Sequence, residues 1–351
     1  MSQEKHAMPL DYRTKQLLAH ARKIGFDPLG VCRAEPAATF PVFAEWLDEN
    51  LSYGDCRGMN YLSRHRDARQ HPTAVLPEVK SLVTVGLSYT AVNPTTNLSV
   101  NQQVQCSDGF GVIAEYARGF DYHDVMRTKL RQLAEMHRAL FPNAKTRIAV
   151  DTAPILEREY ATRAGLGWPG KNTMLINERQ GSRFFLGLFL TSVELKASEN
   201  REDTPPLPPS QCGTCRRCID ACPTRALATP FRLDARKCIN YWSIEHPGND
   251  IPPEIAARFG NRLFGCDTCQ SVCPFNRTDT VTPAKSALDS PEELTSRSLR
   301  VQLETGVMSL SQIENFDENV FQQQFAGTPL LRLGLARLKR NAAIVRENEN
   351  Q

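Results

Sequence analysis

Apolar and polar residues follow two periods in the first 200 residues of the chain, one helical and one extended. Residues 11–25 and 122–141 place apolar side chains at helical spacing and predict two amphipathic helices. Nearly continuous apolar runs at residues 81–89, 146–151 and 182–191 predict buried strands. Helices that alternate with strands are typical of a layered domain, so the predicted fold class of this part is α/β or α+β.

The pattern changes after this first domain. Residues 199–210 are rich in proline and acidic residues, which predicts a domain boundary. A cysteine-rich module follows, and residues 292–347 carry a helical pattern. We therefore divide the chain into three segments, residues 1–198, 199–285 and 286–351.

Composition excludes several classes of protein. The length of 351 residues indicates two or three domains, and a hydrophobic fraction of 41% excludes wholesale disorder. The longest apolar run, residues 184–190, is far shorter than the roughly 20 residues of a membrane helix. The polar N-terminus lacks the apolar core of a signal peptide, so we expect neither export nor membrane association.

The formal net charge of +3 is too small for a surface that is basic all over, so a nucleic-acid partner would need a local basic face. One candidate face lies between Leu330 and Arg346, where no acidic residue occurs. Its basic residues are Arg332, Arg337, Lys339, Arg340 and Arg346. The pattern fits an ordinary solvated helix face and a surface for nucleic-acid phosphates equally well.

The 11 cysteines are the clearest chemical signal. Four of them have the Cys-x-x-Cys-x-x-Cys-x-x-x-Cys-Pro spacing of bacterial ferredoxins: Cys212, Cys215, Cys218 and Cys222. A second run lacks its first cysteine, which Cys238 can supply. Its members are Cys238, Cys266, Cys269 and Cys273. Eight thiolates are the number that two [4Fe–4S] clusters require.

In such a run the cysteine before proline ligates the other cluster. The first predicted ligand set is therefore Cys212, Cys215, Cys218 and Cys273. The second predicted set is Cys222, Cys238, Cys266 and Cys269. Zinc is the alternative, but it would explain a pair of CxxC motifs rather than eight interleaved ligands. We expect Cys32, Cys56 and Cys106 to be buried or inert, and free thiols beside oxygen-sensitive clusters indicate a reducing cytoplasm.

The densest group of candidate catalytic residues outside the cysteines lies in residues 150–176. Asp151 ends a predicted strand, where a side chain projects into the crevice beyond the sheet. A helix is predicted next, so the carboxylate is either a helix cap or a functional group. Gly165, Gly167 and Gly170 mark a loop that approaches another group closely, but they match no nucleotide-binding fingerprint.

Residues 115–124 place two tyrosines, a histidine and three acids directly before a predicted helix. The segment from Asp121 begins like the DxHxxG motif in which a histidine ligates the cobalt of cobalamin. Met126 stands where the glycine of that motif belongs. We therefore expect that His123 is not a cobalt ligand.

Taken together, these segments resemble the epoxyqueuosine reductase family, whose members complete queuosine synthesis in tRNA. The resemblance spans roughly residues 10–345 and is carried by GMNYL (58–62), YARGFDYH (116–123), VDTAPILERE (150–159), RAGLGWPGKNTMLIN (163–177), CGTCRRCIDACPTRAL (212–227), KCINYWSIE (237–245) and GCDTCQSVCPFN (265–276). It implies a first segment that binds base-off cobalamin without a protein ligand on cobalt. It also implies a ferredoxin-like module with two [4Fe–4S] clusters and a short C-terminal α-helical, HEAT-like region that faces tRNA. The family often has a longer C-terminal array, so we expect part of the grip on tRNA to be absent or rearranged.

The resemblance further implies a reaction, in which the epoxide of epoxyqueuosine at the tRNA wobble position becomes the cyclopentene of queuosine. Two electrons and two protons are consumed, water is released, and a flavodoxin or ferredoxin supplies the electrons. Asp151 would protonate the departing oxygen, and Tyr122, His123 and Arg158 would line the substrate cavity. The residues expected to contact the cofactor are Met59, Tyr116, Asp151, Trp168, Lys171 and Asn172. Those expected to contact tRNA are Arg332, Arg337, Lys339 and Arg340, and we expect a monomer.

Three rival interpretations share parts of the pattern. A reductive dehalogenase also combines cobalamin with two ferredoxin-type clusters, but its usual twin-arginine signal is absent from the first 40 residues. A ferredoxin-type electron-transfer protein fused to a binding domain explains the cysteines and leaves residues 150–176 without a role. An RNA-binding protein with structural clusters would bind tRNA without redox turnover.

Overall fold

The computed structural model describes residues 9–51, 56–89, 109–198, 209–277 and 306–350. Its strands are β1 (Leu29–Arg33), β2 (Ser81–Ser88), β3 (Phe110–Ile113), β4 (Thr146–Ala149), β5 (Trp168–Pro169), β6 (Leu175–Ile176), β7 (Phe184–Thr191), β8 (Arg262–Phe264) and β9 (Val307–Ser309). Its helices are α1 (Leu10–Lys23), α2 (Phe40–Leu51), α3 (Asn60–Arg64), α4 (Tyr122–Leu140), α5 (Glu157–Arg163), α6 (Arg217–Asp220), α7 (Pro253–Ala256), α8 (Thr268–Ser271), α9 (Leu310–Asn315), α10 (Glu318–Gln324), α11 (Pro329–Leu333) and α12 (Leu335–Glu349). In these ranges no helix is long and apolar enough to cross a membrane.

The first segment is built on an antiparallel sheet with strand order β1-β2-β7-β4. All eight residues of β2 are buried, because β2 pairs on both sides and both faces of the sheet are covered. Val83, Val85 and Leu87 of β2 pack with α1 and α4, whereas Leu82 packs with α5 on the opposite face. The alternation follows from the two-residue period of a strand. The mixed α and β content predicted from the sequence is confirmed, with antiparallel strands.

The predicted elements of this segment are confirmed with small changes at their ends. The helices expected at residues 11–25 and 122–141 are α1 and α4, and the three expected strands are β2, β4 and β7. The strand expected to deliver Asp151 ends two residues earlier, at Ala149. Asp151 therefore lies in the turn after the strand and takes no part in the sheet.

A second sheet joins the three segments defined from the sequence. Strand β3 pairs with β8 in parallel and with β9 antiparallel, so each segment contributes one strand. The C-terminal helices α9 to α12 cover this sheet through a shared apolar core that includes Ile113, Leu263 and Leu338. Of the helical pattern predicted for residues 292–347, residues 292–305 lie outside the described residues, and the described part begins with β9. The segment boundaries and the HEAT-like character stay predictions.

A buried polar network fastens the cysteine-rich module to the first sheet. The amide of Asn276 donates to Ser182 Oγ and to the Gln270 carbonyl, both at 2.9 Å, and its oxygen accepts the Ser182 N–H at 2.6 Å. Tyr89 and Ser182 each donate to the Gln270 side chain. Because these groups are buried, each needs a partner to avoid a desolvation cost of about 1–3 kcal/mol. The network thus fixes helix α8, which follows Cys266, against the N-terminal end of β7.

Candidate active site

Asp151 lies in a turn with an unusual backbone. Its φ of 56° is in the left-handed region, which is uncommon for a residue other than glycine. The backbone N–H of Asp151 donates to Glu157 Oε1 at 2.8 Å, so a helix residue holds the turn. The Asp151 side chain is 57% exposed. Since Leu156 is the N-cap of α5 and no side chain caps that helix, the interpretation of Asp151 as a helix cap is wrong.

His123 connects two carboxylates. Its Nδ1 lies 2.6 Å from Asp121 Oδ1 and its Nε2 lies 3.1 Å from Asp151 Oδ2. Burial alone would lower the pKa of His123, but the hydrogen bonds to both carboxylates outweigh burial and raise that pKa. Burial would raise the pKa of Asp121, but its hydrogen bonds with His123 and the charge of Arg332 lower it. Both ring nitrogens of His123 are therefore occupied by carboxylates.

Glu157 and Arg158 form the far side of the same turn. Glu157 was not among the site residues predicted from the sequence. Burial, followed by the charge of Asp151, raises the pKa of Glu157 to about 7. Arg158 Nη1 donates to the carbonyl of Thr173, and burial lowers the Arg158 pKa. Glu157 is half-buried and Arg158 is exposed to solvent, although many protein atoms lie near both side chains, as on the wall of an open cavity.

Aromatic side chains form the rest of this wall. The Tyr122 ring stacks on His123 at 4.0 Å and on Phe185 at 4.2 Å, and the Tyr116 ring meets its edge at 6.4 Å. Burial and the charges of Glu245 and Asp151 raise the pKa of Tyr61 to about 12. Tyr122, His123 and Arg158, the three residues expected to line a substrate cavity, thus surround Asp151 in this structure.

The module brings the eight cysteines into two neighbouring groups. Burial and the thiolates of Cys212, Cys273 and Cys215 raise the pKa of Cys218. Burial raises the pKa of Cys238 to about 11, and the thiolates of Cys266 and Cys222 add to it. Burial also raises the pKa of Cys269, with increments from Cys238, Cys266, Cys218 and Cys222. Cys218 lies near both groups, and the assignment of four ligands to each cluster stays a prediction.

The cysteines of the module carry free thiols. Within the described ranges, no group of three or more His, Cys, Asp or Glu side chains is placed to hold a single metal ion. None of the described cysteines forms a disulfide. Binding of a metal would deprotonate the thiols whose pKa is raised, because only the thiolate is a ligand.

Residues 163–172 contact the cysteine-rich module. Lys171 Nζ donates to the carbonyls of Gly213 at 2.6 Å and Cys215 at 2.9 Å, and Asn172 donates to the Cys269 carbonyl at 3.3 Å. Trp168 packs against Cys273 in one apolar cluster. These three side chains were expected to contact the cofactor, and that role stays a prediction beside the contacts they make with the cysteine loops.

The region around Asp151, Glu157 and Glu245, which we call the acidic cavity, adjoins the second cysteine group. Gly265 precedes Cys266 and lies so close to Ala114 that an added Cβ would be 2.7 Å from the alanine Cβ, with Tyr116 next to it. Glu245 follows Cys238 by seven residues, and the charge of Asp151 helps to raise its pKa after burial. Met59 packs with Ile239 and Trp242 in the core of the module.

The basic residues near the C-terminus make contacts inside the protein. Arg340 donates to the main-chain carbonyls of Trp242, His246 and Gly248, and Arg337 donates to the carbonyl of Ile244 at 2.8 Å. Arg332 forms an ion pair with Asp121 at 2.6 Å, and Lys339 is half-buried. Arg337 and Arg340 therefore stabilise the module. The sequence pattern had indicated only a helix face that is exposed to solvent or to nucleic-acid phosphates.

Comparison with known proteins agrees with this picture. Residues 211–276 match the family described as a 4Fe-4S double cluster binding domain, and residues 69–152 match the family described as epoxyqueuosine reductase QueG, DUF1730. The epoxyqueuosine reductase of Xanthomonas campestris pv. campestris is 38% identical over 325 residues, which are 92% of this chain and 83% of that protein. The Escherichia coli K12 enzyme is 32% identical over 331 residues, 93% and 78% of the two chains.

Solved structures give the same result. A crystal structure of epoxyqueuosine reductase with an epoxyqueuosine-modified tRNA-Tyr stem loop is 27% identical, with a TM-score of 0.79 over 97% of this chain and 82% of that one. The Bacillus subtilis enzyme, solved with its catalytic loop swung out of the active site, is 25% identical with the same TM-score of 0.79 and the same coverage of 97% and 82%.

The fold, the double cluster domain and the adjoining acidic cavity define this chain as an iron–sulfur oxidoreductase. The chain belongs to the epoxyqueuosine reductase family. This membership sets aside the three rival interpretations and the zinc alternative.

Proposed function

We propose that the protein reduces the epoxide of epoxyqueuosine in tRNA to the alkene of queuosine, with Asp151 as the proton donor. The observation that carries the proposal is the position of Asp151, between His123 and Glu157 in a cavity that adjoins the second cysteine group. The names of the relatives and of the tRNA stem-loop complex support the substrate.

The net reaction takes two electrons and two protons and releases the epoxide oxygen as water. His123 holds the Asp151 carboxyl by one oxygen, which orients the other oxygen for proton transfer to the substrate. His123 is itself fixed by Asp121, whose second oxygen pairs with Arg332. Glu157 accepts the backbone N–H of Asp151 and so holds the turn. Because its pKa is raised, the Glu157 carboxyl group could supply the second proton at neutral pH.

Two [4Fe–4S] clusters would be held by the two cysteine groups defined above. The first set is Cys212, Cys215, Cys218 and Cys273. The second set is Cys222, Cys238, Cys266 and Cys269. The second set adjoins the acidic cavity, so its cluster would be nearer to the substrate. Lys171 and Asn172 hold the cysteine loops through their main-chain carbonyls.

Cobalamin is the proposed cofactor of the acidic cavity, and the residues present fit it. Both nitrogens of His123 are engaged by carboxylates, which agrees with a base-off corrinoid that takes no histidine ligand. Arg158, Glu157 and Tyr61 offer donors and acceptors for the amide groups at the rim of a corrin. When bound, cobalamin supplies a strongly reducing metal centre and the clusters supply single electrons.

The partners follow from this chemistry. The substrate is tRNA with epoxyqueuosine in its anticodon, and an external flavodoxin or ferredoxin would reduce the clusters. Since Arg337 and Arg340 are engaged inside the protein, Arg332 and Lys339 are the members of the basic group that remain proposed tRNA contacts. A monomeric state and a cytoplasmic location stay predictions.

The role of Asp151 is tested with Asp151→Ala and with Asp124→Ala as the matched control. Asp124 lies in the first turn of α4 beside His123, but its side chain is 74% exposed and pairs only weakly with Arg127 at 3.6 Å. We expect Asp151→Ala to retain the iron–sulfur clusters and cobalamin but to lose turnover of modified tRNA. We expect Asp124→Ala to retain the cofactors and the turnover. Near-normal turnover by Asp151→Ala would overturn the assignment of the proton donor.

A further inference from the structure

The three tryptophans of the chain differ in the way their indole N–H groups are satisfied. Trp46 Nε1 donates to the Leu233 carbonyl at 2.6 Å, and Trp242 Nε1 donates to the Arg236 carbonyl at 2.7 Å. Trp168 is only 4% exposed, and its buried Nε1 has no hydrogen-bond partner anywhere in the described ranges. A buried donor without a partner costs about 1–3 kcal/mol, so this N–H requires an explanation.

The surroundings of Trp168 point to a sulfur acceptor. Trp168 lies in one apolar cluster with Ile176 and Cys273, and Cys212 packs against that cluster. The rings of Trp168 and Phe275 form a T-shaped pair with their centroids 5.1 Å apart. Trp168 pairs with Ile176 in the short sheet β5–β6, which fixes the backbone that carries the ring. A water molecule is a poor partner here, because buried waters need two to four polar neighbours and these neighbours are apolar or sulfur.

Both cysteines of this apolar cluster, Cys273 and Cys212, belong to the first of the two groups. A [4Fe–4S] cluster in that group would bring inorganic sulfides and cysteine thiolates to the ring, and all of these sulfur atoms accept hydrogen bonds. Reduction adds a negative charge to a cluster, so a donor to its sulfur atoms stabilises the reduced state more than the oxidised state. Hydrogen bonds to sulfur are one of the determinants of cluster potential.

We propose that the indole N–H of Trp168 donates a hydrogen bond to a sulfur atom of the first cluster and raises the reduction potential of that cluster relative to the second. The first cluster is the one assigned to Cys212, Cys215, Cys218 and Cys273, so the inference rests on the cluster assignment in the proposed function. Trp168 is in this sense a positioning and tuning residue, and it does not touch the substrate.

The test is an EPR-monitored redox titration of the full-length protein after anaerobic reconstitution, with Trp168→Phe and the matched control Trp242→Phe. Phenylalanine keeps an aromatic ring and removes the N–H in both variants. Trp242 packs beside Cys238 of the second group, but its N–H already has a carbonyl partner. At a fixed applied potential, we expect Trp168→Phe to lower the reduced-to-oxidised ratio of one cluster by roughly fivefold to tenfold. A tenfold change equals about 59 mV for one electron.

The expected result is a shift of one cluster in Trp168→Phe and of neither cluster in Trp242→Phe. Unchanged potentials of both clusters, or an equal shift of both, would overturn the inference. If Trp168→Phe fails to retain its clusters, wild-type protein labelled with ¹⁵N-tryptophan replaces it. Pulsed EPR of the reduced first cluster must then show a nitrogen coupling, and its absence overturns the inference. Wild-type protein that takes up no clusters would instead refute the iron–sulfur part of the proposed function.

Discussion

Replacing Glu157 by glutamine tests the electrostatics of the Asp151 turn. The glutamine amide is neutral and has the shape of a protonated glutamate, and its oxygen can still accept the Asp151 N–H that Glu157 accepts at 2.8 Å. The substitution therefore removes one titrating group and leaves the hydrogen bond that holds the turn. A difference between wild type and Glu157→Gln then reports on the proton of Glu157.

The magnitude follows from the shift in pKa. The pKa of Glu157 rises from 4.5 to about 7, first through burial and then through the charge of Asp151. A pKa of about 7 in place of 4.5 corresponds to about 3 kcal/mol of preference for the protonated form. At pH 7 about half of the Glu157 side chains would carry a proton, compared with roughly one in 300 for an ordinary glutamate. The protonated fraction falls as pH rises through 7.

The assay is pH-difference infrared spectroscopy of the protonated-carboxyl band, taken as wild type minus Glu157→Gln. We expect a band that disappears with a midpoint near pH 7. Asp151→Asn should lower this midpoint only in part, because burial is the larger of the two causes. A midpoint near 4.5, or no response to Asp151→Asn, would refute the reasoning.

Three further predictions concern the framework of the site. Asn276→Ala removes three buried hydrogen bonds to Ser182 and Gln270 and should destabilise the reconstituted protein by roughly 2–4 kcal/mol, seen as a lower thermal midpoint in circular dichroism. An unchanged midpoint would contradict the role of this network. Arg340→Lys replaces two separated guanidinium nitrogens, which donate to three carbonyls, by a single nitrogen that cannot occupy both positions. It should destabilise the protein by roughly 1–3 kcal/mol and also lower the thermal midpoint. Burial raises the pKa of Cys32 to about 12, so iodoacetamide at pH 8 should leave it unmodified in the native protein, and rapid alkylation detected by peptide mass analysis would show otherwise.

The parts of the fold that depend on local pattern could be predicted from the sequence. The apolar runs identify β2 and β7 because these strands are buried on both faces. The cysteine spacing identifies the double cluster binding domain, because the spacing is a local pattern. The leftover Cys32 and Cys56 are buried, as expected, whereas Cys106 lies outside the described residues.

The remaining features depend on contacts between distant residues, which carry no local signal. Lys171 donates hydrogen bonds to carbonyls 42 and 44 residues away in the chain, and Arg340 donates to carbonyls 92 to 98 residues away. A sequence that shows only a basic residue on a helix does not reveal such partners. The sequence shows Glu157 as an ordinary acid in the first turn of a helix. Its raised pKa arises from burial in the folded chain, and the charge of Asp151, which turns back towards it in a left-handed conformation, adds to the shift.

The most direct test of the proposed reaction is a single turnover experiment under anaerobic conditions. Reconstituted protein is incubated with cobalamin, a strong reductant and tRNA that contains epoxyqueuosine, and the digested nucleosides are analysed by mass. We expect a nucleoside lighter by one oxygen atom, which forms only when both cobalamin and reductant are present. Unchanged epoxyqueuosine after incubation of protein that holds two clusters and cobalamin would contradict the proposed function.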